Sequence, residues 1–197
     1  MAQSSPTPSV PRSRLVLFTV IAVGGCAVDL LTKHWIFERL GFPARQPIWL
    51  IDEVLSLETS LNEGALFGIG QGFVALFATL SILAAIWIIY WLFVRRAAHD
   101  WWLTLALACI MAGIFGNLYD RLGLPGMTWP MATATHEVGD RVYAVRDWIH
   151  FQYKSFDWPI FNIADSLLVC GAALLAAQSF RTEPVAKPSS QVVKTSA

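Results

Sequence analysis

The sequence predicts an all-α integral membrane protein, with four transmembrane helices and short surface strands between the first and second. Three observations carry this. Hydrophobic residues make up 55% of the 197-residue chain and charged residues only 14%, whereas a soluble domain carries about 25% charged residues. Mean hydropathy is +0.52, and the apolar residues gather into four long runs. Nine tryptophans suit the amphipathic rings that anchor helices at membrane–water interfaces.

Taken in order, residues 1–13 are polar and rich in Pro and Ser. Such a composition cannot bury enough apolar surface to fold, so this segment is expected to be disordered, as is the tail 182–197. Residues 14–181 form one membrane domain. Its apolar runs cover about 15–37, 73–94, 101–118 and 159–180. Each is near the ~20 residues that cross ~30 Å of hydrocarbon. Backbone groups in lipid must bond within their own segment, so all four runs are expected to be helices. Arg12 and Arg14 precede the first, Arg95 and Arg96 sit in the short turn between the second and third, and Arg181, Lys187 and Lys194 follow the fourth. Four crossings place these basic clusters on one side, which the positive-inside rule makes cytoplasmic, with both termini. The long segments 38–71 and 120–158 then lie outside. Within the first, the alternation Val54-Leu55-Ser56-Leu57-Glu58 predicts short strands lying on the membrane surface. Residues 122–144 contain Pro125, Gly126, Pro130 and Gly139 and no run long enough to cross, which predicts an outer-surface excursion.

Net charge is zero, so nothing points to nucleic acid as a partner. Cys26, Cys109 and Cys170 lie in apolar runs without CxxC spacing and read as small core fillers rather than a disulfide or metal framework. Val23-Gly24-Gly25-Cys26 resembles a lipoprotein cleavage site. The apolar run continues past it, however, and cleavage there would discard the helix that carries Asp29 and Lys33.

Ionisable groups inside membrane segments are costly and mark candidate sites. Asp29 and Lys33 are four residues apart and share a helix face. This spacing suits an ion pair, whether purely structural or bracing a site. Gly113, Asn117 and Arg121 recur every four residues, giving one open polar stripe at the end of the third helix. Asp165 is expected about two turns inside the fourth helix, where an unpaired carboxylate would cost several kcal/mol. It therefore needs water or a second titrating group, and Asp147, just before that helix, is the candidate. Two carboxylates sharing a site hold one proton between them. The ionised member can take a proton from water while the neutral one donates to a carbonyl, which requires no metal and no cofactor. His136-Glu137-Val138-Gly139-Asp140 starts like the zinc motif HExxH, but Asp140 stands where the second His belongs.

Five elements, in order, resemble those of the lipoprotein signal peptidases (signal peptidase II). Asp29-Leu30-Leu31-Thr32-Lys33 resembles DQxTK, and Asn62-Glu63-Gly64-Ala65-Leu66-Phe67-Gly68 resembles NxGAAFG. Gly116-Asn117-Leu118-Tyr119-Asp120-Arg121 matches GNxxDR, Val145-Arg146-Asp147-Trp148-Ile149 resembles VVDFI, and Phe161-Asn162-Ile163-Ala164-Asp165-Ser166 matches FNxADS. The resemblance covers about residues 14–180. It implies a membrane aspartic endopeptidase of the bacterial inner membrane that cleaves prolipoproteins before a diacylglyceryl-modified cysteine, near the periplasmic face. Asp147 and Asp165 would be the catalytic dyad. Asn62, Asn117, Arg121 and Asn162 would line the substrate site, with Asp29, Lys33, Gly113, Asp120 and Ala164 in support. Membrane lipids and globomycin-type inhibitors are further implied partners, and the outer strands correspond to a periplasmic β-cradle. Leu30 departs from the family's Gln, and the segment between Arg121 and Asp147 is longer than the family's linker. The competing expectation is a non-enzymatic, transporter-like membrane protein or a catalytically inactive relative. A transporter would use Asp165 as an ion site, but neither paired repeats nor broken helices are visible.

Overall fold

The computed structural model describes residues 9–44, 46–64 and 70–180. The tail 182–197, residues 1–8 and the Ala65–Gly68 part of the second motif lie outside the described residues. Helix α1 spans Arg12–Leu40, beginning and ending three residues beyond the 15–37 apolar run. At 29 residues it is about 44 Å long, so its polar ends extend past a hydrocarbon layer. Helix α2 (Val74–Ile89) is prolonged by a π-helical turn, Tyr90–Val94. A 3-10 turn, Ala97–His99, then leads into helix α3 (Trp101–Arg121). Asp100 caps α3 by accepting from the amides of Trp102 and Leu103 at 2.8 and 3.2 Å, satisfying two donors with no partner inside the helix. Helix α4 (Ile163–Ser179) is apolar but shorter, at 17 residues. The other three are long and apolar enough to cross a membrane.

Four strands form one antiparallel sheet in the order β1 (Ile48–Ile51), β2 (Leu55–Asn62), β3 (Val145–Tyr153), β4 (Phe156–Phe161). Two expectations are corrected here. The sheet is not confined to the segment between the first two helices, because half of it comes from between α3 and α4. Among the described residues the chain has four α-helices and a small four-stranded sheet, half of it drawn from outside the expected cradle segment. The fourth helix also begins at Ile163 and not near Pro159. Trp158, Pro159 and Ile160 belong to the edge strand β4, where proline's missing N–H is tolerated. Asp165 accordingly sits in the first turn of α4, not two turns in.

Close packing places α3 at the centre. A Cβ on Gly113 would lie 2.4 Å from the Ala164 carbonyl oxygen, and one on Gly116 would lie 2.4 Å from Asp29 Oδ2. Only glycine admits the first turn of α4 and the α1 carboxylate this near to α3. Gly25 and Gly171 serve the same purpose further along, against the Ala112 side chain and the Ala106 carbonyl. Phe18, Ile88, Leu92, Leu107 and Met111 fill the core toward the Arg95 end. Outward, α1 and α2 expose Val20, Leu31, Trp35, Leu83, Ile86 and Trp87, an apolar belt suited to lipid.

Residues 122–144 contain no helix. Turns and a single bridge between Thr128 and Arg141 organise them around a small core of Trp129, Val142 and Ala144, packed against Phe42 and Leu61. Arg141 ties its own loop by donating from Nε and Nη2 to the Gly123 carbonyl at 3.0 and 2.7 Å.

Candidate active site

The site lies where the sheet meets the helix ends, and its foundation is Lys33. This ammonium is fully buried and has three partners for its three protons: Asp29 Oδ2 at 2.8 Å, Asp120 Oδ2 at 3.1 Å and Asn117 Oδ1 at 3.0 Å. Asp29 in turn accepts from the Ala164 amide at 2.8 Å, which places a carboxylate at the positive end of α4. Asp120 receives Arg146 three times: its backbone amide at 3.1 Å, Nε at 2.9 Å and Nη2 at 2.8 Å. Two guanidinium nitrogens on Oδ1 and the backbone amide on Oδ2 pin β3 to α3 at the residue before Asp147. Two cations and two anions balance within this cluster.

Asn117 carries the network onward. Its oxygen accepts from Lys33 and, at 3.1 Å, from Asn162 Nδ2, while its own amide donates to Asp165 Oδ1 at 2.8 Å. Asn162 is the N-cap of α4. Its Oδ1 accepts from the Asp165 amide at 2.9 Å, and the Asp165 side chain accepts from the Asn162 amide at 3.2 Å, a reciprocal capping box. The remaining donor of Asn162 reaches Asp147 Oδ1 at 2.6 Å. Asn62, on β2, donates to Asp147 Oδ2 at 3.1 Å. The two carboxylates, one from β3 and one from α4, thus meet around the Asn162 side chain.

Asp147 is almost wholly buried. Burial first, then the negative charge of Asp165, push its carboxyl up to about 7 from an ordinary 3.8, against hydrogen bonds from Asn162 and Asn62 and the charge of Lys33. Asp165 faces a cavity of about 350 Å³ lined also by Asn62, Asn117, Arg121, Trp158 and Leu168. Arg121 donates from Nη2 to the Gly64 carbonyl at 2.9 Å, and its buried Nε has no hydrogen-bond partner among the described residues.

All eleven residues singled out in the sequence lie in this one region, with Gly113 contributing only the space against Ala164. Three others were missed. Arg146 carries the clamp on Asp120. His136 Nε2 lies 2.6 Å from Glu63 Oε1, so the long segment 122–144 joins the residue next to Asn62. Arg146 was within reach of sequence reasoning, as a charged neighbour of Asp147 in an otherwise apolar strand. The Glu63–His136 pair left no local signal.

The signal peptidase (SPase) II family matches residues 21–181. The lipoprotein signal peptidase of Rhodopirellula baltica is 44% identical over 189 residues, covering 89% of this chain and 80% of that protein. That of Halalkalibacterium halodurans is 31% identical over 172 residues, covering 87% and 97%. A bacterial membrane enzyme solved by the in meso method at 2.3 Å resolution superposes with a TM-score of 0.67 at 25% identity, covering 93% of this chain and all of that one. With that match running from α1 through the end of α4, the chain belongs to the signal peptidase II family.

Proposed function

We propose that this chain removes signal peptides from prolipoproteins by hydrolysing the bond before a diacylglyceryl-modified cysteine, with Asp147 and Asp165 as an aspartic dyad. The observation that carries this is the junction at Asn162. One side chain holds Asp147 and caps the helix that presents Asp165, beside a cavity at the bundle end. A shared proton makes one carboxylate a base and its partner an acid. The ionised member takes a proton from water as the water oxygen bonds to the scissile carbonyl carbon. The neutral member gives its proton to the carbonyl oxygen. On collapse of the resulting diol, the carboxyl that took the water proton gives it to the departing amine as the C–N bond breaks, and the ionised partner takes a hydroxyl proton from the diol, restoring the shared proton. Arg121, which lines the cavity, holds the substrate backbone, and Asn62, Asn117 and Asn162 keep both carboxylates aimed.

In this reading α1 to α4 all cross the inner membrane, both termini are cytoplasmic and the sheet lies on the periplasmic side. Acyl chains then remain in lipid while the peptide bond reaches the dyad. The test is cleavage of a diacylglyceryl-modified prolipoprotein by the purified protein, with the unmodified precursor as control. Cleavage at the modified cysteine alone, blocked by globomycin, is expected. Failure to cleave the modified precursor, in a preparation that binds globomycin, would overturn the reading.

A further inference from the structure

We propose that the segment 122–144 is part of the catalytic apparatus, with His136 a positioning residue that holds Glu63 and, through it, fixes the amide of Asn62 on Asp147. The proposal rests on the dyad reading above and assigns a role to a segment outside the five sequence motifs.

Three consecutive residues at the end of β2 are each tied to a different element. Asn62 pairs in register with Val145 of β3, and its side chain reaches Asp147. Glu63 is bound by His136 at 2.6 Å, with both side chains largely buried at 19% and 24% exposure. Gly64 donates its amide to Asn62 Oδ1 at 2.9 Å and gives its carbonyl to Arg121. Without the middle tie, the strand end would lose its hydrogen bond to the segment 122–144 and keep, among the described residues, the ties at Asn62 and Gly64 and the packing of Leu61.

His136 is itself well located. Its ring stacks on Trp129 at 4.6 Å between centroids and 9° between planes, and Trp129 is the centre of the segment's small core. Thr133 Oγ1 accepts from the His136 amide at 3.1 Å, and the Thr133 amide donates to the His136 carbonyl at 2.9 Å. The insertion is therefore a folded support and not a slack tether. A hydrogen bond donated to a carboxylate favours its charged form, so loosening Asn62 lets the dyad hold its proton to higher pH. Asp147 is also influenced by Asp165 from α4, Lys33 from α1 and Arg121 from α3, with Arg146 next to it in β3; substitution of His136 alters none of these directly.

Two variants separate the bond from the stack. His136→Phe keeps a ring on Trp129 but cannot donate to Glu63. His136→Gln loses the ring but keeps a donor at similar reach. Activity is measured on the diacylglyceryl-modified precursor as a full pH profile, per molecule binding globomycin, with Asp147→Asn as control. His136→Phe should lower kcat about tenfold with little change in KM, and shift the alkaline limb of the profile upward. His136→Gln should restore both. If His136→Phe lost only thermal stability, with kcat and the limb unchanged, the positioning role would be overturned while an inactive Asp147→Asn left the dyad standing. Recovery by Phe and not by Gln would likewise overturn it. An active Asp147→Asn would remove the dyad reading and this proposal with it.

Discussion

Two carboxylate clusters lie side by side in this protein, one fully buried and one opening on the cavity, and they are built on opposite principles. Around Lys33, Asp29 and Asp120 face two cations, Lys33 and Arg146, at 2.8 to 3.1 Å. Every proton of the ammonium is used and charge is balanced. Around Asn162, Asp147 and Asp165 are held by neutral amides, and the charges that meet are alike. Opposite charges lock the first cluster together, whereas the second brings two like groups to one place under neutral donors. The first arrangement suits a fixed scaffold and the second suits proton transfer. Asn117 joins them, touching Lys33 with its oxygen and Asp165 with its nitrogen.

The comparison breaks most directly at the dyad. Asp147→Asn and Asp165→Asn keep size while removing a titratable proton. Each should lower turnover per folded molecule by about 10³-fold or more, and the double variant should be little worse. Wild-type kcat/KM should fall as pH rises through about 7, where the Asp147 carboxyl ionises. A raised pKa in the folded state means that stability declines as pH climbs from the ordinary carboxylate range to about 7, then levels off. Asp147→Asn is relieved of that decline and should remain folded at pH 8. Near wild-type turnover in Asp147→Asn, counted against bound globomycin, would end the distinction between the clusters.

The scaffold should fail in the other way. Lys33→Met leaves Asp29 and Asp120 buried with half their counter-charge. Breaking one partner of a buried ion cluster costs about 3–5 kcal/mol, so folded yield and Tm should drop. The molecules that do fold should turn over within about tenfold of wild type. A stable Lys33→Met protein with no turnover would move Lys33 into the reacting site.

Between these extremes lies Gly113→Ala. Its Cβ would meet the Ala164 carbonyl oxygen at 2.4 Å, closer than any real contact, so the first turn of α4 must shift and carry Asp165 with it. A displacement on the order of 1 Å can cost about 100-fold in rate. Globomycin affinity should fall along with turnover, which distinguishes a displaced site from the chemically disabled Asp165→Asn.

How much of this was legible in the sequence depended on locality. The apolar runs and the five short motifs report on neighbouring residues, and they led to every member of both clusters except Arg146. The start of α4 was misplaced because Trp158-Pro159-Ile160-Phe161 is as apolar as the helix that follows. Hydropathy cannot separate an edge strand from a helix in so short a run, and the Asn162 cap decides the boundary. The second half of the sheet was missed because pairing of β2 with β3 joins residues such as Asn62 and Asp147, 85 apart in sequence. Nothing in either strand alone announces the other. The Glu63–His136 contact was hidden for the same reason.

The smallest effect is expected from metal removal. Each of the four dyad oxygens accepts a hydrogen bond from an amide. Asp147 Oδ1 and Oδ2 accept from Asn162 and Asn62. Asp165 Oδ1 accepts from Asn117 and Oδ2 from the Asn162 backbone. Two carboxylates suffice to activate water. Activity on the modified precursor should therefore be unchanged, within assay error, after prolonged EDTA treatment. Loss of activity restored specifically by zinc would contradict this and point instead to a centre built on His136.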